Sequence, residues 1–78
     1  MENGFVVGMK VSLDNESGIV IKDKLEESNM VGIICWDTSK ENDTEDWRGQ
    51  FETFIRIGGK VLDDNYLFQF IDDNGKLK

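Results

Sequence analysis

Carboxylates are the reactive groups that this chain has in abundance. Three adjacent pairs stand out: Glu45 with Asp46, Asp63 with Asp64, and Asp72 with Asp73. Two carboxylates can divide into a general acid and a general base only where burial or a neighbour drives their pKa values apart. Adjacent acids in polar turns stay solvated and ionised, so these pairs read as turn residues. The other reagents of enzymes are missing. There is no histidine, so neither a Ser-His nor a Cys-His arrangement can form. Cys35 is the only cysteine and sits in an apolar run, which predicts a small core residue and excludes an internal disulfide. The glycines are scattered and make no phosphate-cradling loop. Residues 43–46 and 72–75 are rich in oxygen ligands but lack the alternating spacing, closed by a glutamate, of a calcium loop. No catalytic residue, metal site or cofactor is expected.

The acidic stretch 41–46, running into Trp47-Arg48, points to a partner instead. Charge steers an encounter and an aromatic ring anchors it. Asp43, Glu45, Asp46, Trp47 and Arg48 are the candidate partner-binding residues. The same residues admit a purely structural reading, in which the acids cap a helix start and Trp47 packs into the core.

The charge balance narrows the partner. Sixteen acids against nine bases leave a net charge of −7 over 78 residues. Affinity for nucleic acid comes largely from Lys and Arg neutralising phosphates, so that class is disfavoured. So is adsorption to an anionic membrane. A protein with a basic patch fits. No apolar run approaches membrane-spanning length and no signal-like segment opens the chain, so a cytoplasmic setting is expected.

These residues must be positioned by one small domain spanning residues 1–78. Its organising stretch is residues 30–37, Met-Val-Gly-Ile-Ile-Cys-Trp-Asp, apolar on both alternating faces. Met30, Ile34 and Trp36 would face one way, and Val31, Ile33 and Cys35 the other, as in a central strand covered on both sides. Before it, Phe5, Val7, Met9, Val11 and Leu13 alternate with polar Lys10 and Ser12, a half-buried first strand with Gly8 marking a bulge or tight bend. A turn at residues 14–18 leads to a second strand at 18–24, with Ile19 and Ile21 inward. Residues 25–29 read as a short connection and 38–43 as an exposed loop.

Trp47, Phe51, Phe54 and Ile55 then recur at helical spacing. Thr44 would cap that helix, Glu45 and Asp46 would suit its positive end, Glu52 and Arg56 would pair across one turn, and Gly58 would follow its last residue. Gly49 opposes the helix, and a strand with Phe51, Thr53, Ile55 and Ile57 on one face is the rival. The helix is preferred. A short strand at 60–62, a turn at 63–65 and a last strand at 66–71 complete the order β-β-β-α-β-β, with a fraying Lys-rich tail. The edge of that last strand could pair two copies. The expected class is α+β, mainly β: a small five-stranded antiparallel barrel or strongly bent sheet.

Gly8-x-x-Val11, Gly18-x-Val20 and Gly32-Ile33 ending in Trp36-Asp37 resemble the first three strands of SH3-like barrels of the Tudor and KOW kind. The resemblance lies between Phe5 and Asp37. A helix between the third and fourth strands would instead be similar to the order of an OB-fold. These families imply nucleic-acid binding or, for Tudor domains, capture of a methylated side chain in an aromatic cage. Trp36, Trp47 and Tyr66 could supply such a cage. No cluster of Lys or Arg interleaved with aromatics supports the nucleic-acid role.

The expected function is therefore a non-enzymatic protein-interaction module docking a basic surface. Regulators and inhibitors of host proteins encoded by phage or mobile elements are of this kind. A nucleic-acid mimic occupying a DNA- or RNA-binding site is the first alternative, and a nucleic-acid-binding small barrel the second.

Overall fold

The computed structural model describes residues 4–22 and 31–78. The expected polar lead, the end of the second strand, the connection at 25–29 and Met30 lie outside these residues, wholly or in part. Among the described residues, five strands and one short helix follow in the order β1 (Lys10–Leu13), β2 (Glu16–Ile21), β3 (Ile33–Trp36), β4 (Thr44–Asp46), α1 (Phe51–Arg56) and β5 (Lys60–Val61). All strands belong to one antiparallel sheet ordered β4-β3-β2-β1-β5. The chain is mainly β, as expected. Its two end strands, β4 and β5, are not paired with each other, so the sheet is not closed into a barrel.

The hairpin between β1 and β2 is tighter than the sequence suggests. Leu13 pairs with Glu16, leaving Asp14 and Asn15 as a two-residue turn with φ of 51° and 68°. Positive φ at both positions is the hairpin geometry that matches strand twist, and Asp and Asn tolerate it well. Residues 16 and 17 therefore belong to β2, not to the turn.

The central strands are covered on both faces. On one, Val11, Leu13, Val20, Ile34 and Trp36 form a core with Phe5, Met9 and Phe54. On the other, Ile19 and Cys35 pack with Phe68 and Ile71. Val20 joins the core beside the expected Ile19, because β2 is buried on both sides as β3 is. Val31 packs on the Ile34 and Trp36 side, not the Cys35 side. Gly32, at φ +154°, breaks the alternation that the sequence extends through it.

The first strand departs from its expected pattern before Lys10. Met9 N–H donates to Val6 C=O (2.9 Å), closing a turn with Gly8 at φ +93°. Val7 is consequently exposed instead of facing inward. Gly8 does mark the bend foreseen for it. Lys10, placed by alternation on a solvated face, is only 5% exposed. Its Nζ donates to the carbonyls of Asp64 and Tyr66 (2.7 Å each) and lies 3.3 Å from the Asp73 carboxylate.

The helix is shorter and starts later than expected. Thr44 does not cap it; Thr44–Asp46 is β4. Gln50 occupies the cap position without a side-chain bond, and Gly49, at φ +75°, lies in the turn before the helix. Phe54 is buried, Trp47 and Phe51 pack against its cluster, and Ile55 is exposed. The Glu52–Arg56 pair forms at 3.4 Å on the exposed face, and Gly58 follows the Ile57 C-cap.

Residues 66–71 are not a strand. Ile71 makes one isolated bridge to Leu77, and the segment lies across the Ile19 and Cys35 face. Its backbone is satisfied by side chains instead of a ladder. Asp37 accepts N–H bonds from Gln69 (2.8 Å), Phe70 (2.7 Å) and Ile71 (3.3 Å). The tail is tied down as well: Lys78 N–H donates to Phe70 C=O and Lys78 Nζ to Phe68 C=O (2.7 Å). The order is thus β-β-β-β-α-β, and the expected edge for pairing two copies does not form at 66–71.

Candidate functional site

The candidate partner-binding residues assemble on and beside β4, at one end of the sheet. The Trp36 N–H bond to Asp43 C=O (2.8 Å) and the Trp47 N–H bond to Gly32 C=O (2.9 Å) bracket the strand. In an antiparallel ladder, bonded and non-bonded pairs alternate. Glu45, opposite Ile34, turns its backbone toward β3; Thr44 and Asp46 turn theirs outward, where the Thr44 N–H donates to Asn42 C=O (2.9 Å). All three residues of β4 are exposed. Gly32 makes the close approach possible: a Cβ there would lie 2.7 Å from Arg48 Cα and 2.8 Å from Arg48 N.

Each candidate carboxylate has an intramolecular partner. Asp43 accepts from Thr38 Oγ1 (2.9 Å), and Glu45 accepts from Trp47 Nε1 (2.7 Å). Asp46 is gripped by Arg48, through the backbone N–H (3.0 Å), Nε (3.0 Å) and Nη2 (2.9 Å). That hydrogen-bonded guanidinium holds the Asp46 carboxyl at about 2 against an ordinary 3.8. Trp47 is half-buried, its ring edge-on to Phe54 at 5.2 Å and 78°. Trp47 is thus neither free nor enclosed: one side is core and the indole N–H is fixed by an exposed carboxylate. The sequence places all five residues at one location; what it assigns wrongly is the element, a strand and turn instead of a helix start.

Three of the other chemistry-bearing residues, Cys35, Asp72 and Asp63, have intramolecular hydrogen-bond partners. Cys35 is buried, donates its S–H to Gly75 C=O (3.0 Å), and its thiol is pushed up by burial and then by the charges of Asp43, Asp37 and Asp72. Asp72 is held below the usual range by N–H bonds from Lys76 and Asn74, the pattern of a turn carboxylate. Asp63 likewise accepts from Asn65 N–H. The three rings of the supposed cage do not converge. Trp36 lies in the Phe54 cluster, whereas Tyr66 packs against Phe68 of the opposite cluster and bonds Ser17 Oγ.

Two residues central to the architecture escaped the sequence: Lys10 and Asp37. A lysine within an alternating apolar run and an aspartate directly after the central strand are the available signals, and both look like ordinary surface residues.

No family model, characterised protein or solved structure matches this chain significantly.

Proposed function

We propose that this chain is a non-enzymatic protein-interaction module that docks a basic surface of another protein along β4. The observation that carries the reading is the outer strand itself. Among the described residues β4 pairs only with β3, and its outward backbone is flanked by Glu45, Asp46 and the partly exposed Trp47. An edge strand is a template for an added strand, and charges on it select which segment adds. The intramolecular bonds to Glu45 and Trp47 fix both side chains before a partner arrives, which lowers the ordering cost of binding. Occupying a basic surface in this way would make the chain a regulator or inhibitor of its partner.

The same proposal extends to the fold. The helix follows the fourth strand, and β5 lies beside β1. On these two features we read the fold as an SH3-like plan in an open, bent form, with the OB-like order as its alternative.

Charge reversal tests the function. Asp43→Lys, Glu45→Lys and Asp46→Lys together should slow association with a partner captured from lysate by at least ten-fold at low salt, because steering acts on encounter. The reading is lost if the triple variant stays folded and binds at an unchanged rate.

A further inference from the structure

Given docking at β4, on which this rests, we propose that the added segment is a parallel strand with one basic side chain, lysine or arginine, placed opposite Glu45.

The main chain of β4 sets the direction. Glu45 spends its N–H and C=O on β3, so the outward groups belong to Thr44 and Asp46. One of these is already taken, since the Thr44 N–H donates to Asn42 C=O (2.9 Å). An antiparallel neighbour exchanges two bonds with the residue directly opposite Thr44, and so needs both its N–H and its C=O. A parallel neighbour needs only the C=O. Its residue opposite Glu45 donates to Thr44 C=O and accepts from Asp46 N–H. Neither of those two groups has a backbone partner among the described residues.

The side chains set the charge. Directly opposed residues share a face of the sheet. Glu45 therefore lies on the Ile34 side, where Trp47 packs against Phe54; Thr44 and Asp46 lie on the side of Ile33 and Cys35. The two acids of β4 are not equivalent. Asp46 is balanced by Arg48, at 2.9 Å. Glu45 accepts from the Trp47 indole N–H (2.7 Å), an uncharged donor, and joins no ion pair among the described residues. Its charge is left unbalanced, with lone pairs for a further donor. A long basic side chain opposite Glu45 can reach that carboxylate with its head and lay its methylenes along the exposed part of the indole. On the other face Arg48 repels a second cation, so the residues flanking the basic one are uncharged.

Other occupants lack half of this recognition. A nucleic acid or a lipid surface has no peptide main chain to pair with β4. A second copy at −7 is repelled.

The test is a titration of isotope-labelled protein with a terminally blocked heptapeptide of valine and threonine carrying one central lysine. Saturable amide shifts are expected at Glu45, Asp46 and Trp47, with a central-glutamate peptide silent. Glu45→Gln keeps an oxygen for the indole N–H and should weaken the Kd at least ten-fold. Glu52→Gln, the same loss of charge on the exposed face of α1, should leave it unchanged. Methylating the main-chain nitrogen of the lysine should abolish binding. Methylating its two neighbours should not, because their N–H groups point away from β4 in a parallel strand. The reverse methylation pattern, or equal binding by Glu45→Gln, overturns this inference and leaves docking at β4 standing. So does the absence of any saturable shift, since the captured partner still tests β4. Dilution-dependent shifts without peptide, which mean a second copy, overturn it as well. Saturable shifts confined to residues away from 44–47 overturn it together with docking at β4.

Discussion

The β4 edge of the sheet and the Val6–Met9 turn before β1 are built on opposite terms. At the β4 edge the charges are conspicuous, yet each has an intramolecular partner: Asp43 with Thr38, Glu45 with Trp47, Asp46 with Arg48. Around the turn Lys10 and Asp64 border one hollow and Lys22 and Asp73 the other, and it is the apolar surface of Val6 and Val7 that lacks a folding role. The comparison teaches that a run of acids in a sequence marks where charge is, not whether it is unspent. It also shows that exposed valines can be the less explained feature. The two regions are joined by a short chain of ring contacts. Phe5, just before the turn, meets Phe54 edge-on at 5.4 Å, and Phe54 meets Trp47 at 5.2 Å. Phe54 is fully buried between them.

Phe54→Ala should therefore have the largest effect and abolish both regions together. Large-to-small changes at a buried aromatic cost about 3–5 kcal/mol, which approaches the whole stability of so small a domain. A denaturant melt would show it. A folded Phe54→Ala protein that kept one region intact would mean that the regions are not joined through this ring.

Lys10→Met should act on the turn region first. It keeps the side chain's bulk but leaves the carbonyls of Asp64 and Tyr66 without their donor, at a cost of about 2–3 kcal/mol. Amide exchange should quicken at residues 62–66 while β4 keeps its protection. Uniform loss of protection would contradict a local role.

Asp37→Asn should sit lower, at about 1–2 kcal/mol, because an amide oxygen still accepts from some of the three N–H groups that now converge on the carboxylate. Loosening of residues 66–71 should uncover Cys35 beneath them. Thiol labelling under native conditions is expected to be slow in the parent and faster in this variant. Rapid labelling of the parent would break the assignment of Cys35 to a covered face.

The smallest effect concerns pH. Asp46 titrates at about 2 when folded against 3.8 ordinarily. A depressed folded value means that its contribution is present above the unfolded pKa and is lost as pH falls through the folded one. Stability should thus dip slightly between roughly pH 4 and pH 2 on this group's account. Arg48→Ala should raise the Asp46 midpoint toward the ordinary range, the residue-48 backbone N–H bond being retained, as read from its side-chain carbon shift. An unmoved midpoint would remove the Arg48 grip.

The sequence carried the sheet's centre well. Apolar residues on both faces of β3 identify a strand covered twice, and the turn residues at 14–18 identify the first hairpin, although its turn proper is only Asp14-Asn15. What it hid has physical causes. Thr44–Asp46 is an edge strand with no apolar residue, so periodicity could not reveal it; pairing with β3 decides it. Phe51 and Phe54 hold the helical stripe only over a short stretch, since Gly49 turns the chain before it. The aromatic run Tyr66, Phe68 and Phe70 looks like a strand because its apolar residues do cover a sheet face, but Asp37 and Lys10 take the backbone bonds that a neighbouring strand would have taken. The five candidate site residues were legible as a group because they are adjacent in the chain. The Val6–Met9 surface was not, because alternation put Val7 inside.

The most direct test of docking at β4 uses the two tryptophans as opposed reporters. Trp36 is buried in the core, and Trp47 lies half-exposed beside β4. With both indoles fluorinated, addition of the captured partner should move the Trp47 fluorine resonance and leave that of Trp36 in place. A Trp47 resonance that stays fixed while the amides of Val6, Val7 and Gly8 shift would contradict docking at β4 and place the partner at the Val6–Met9 turn.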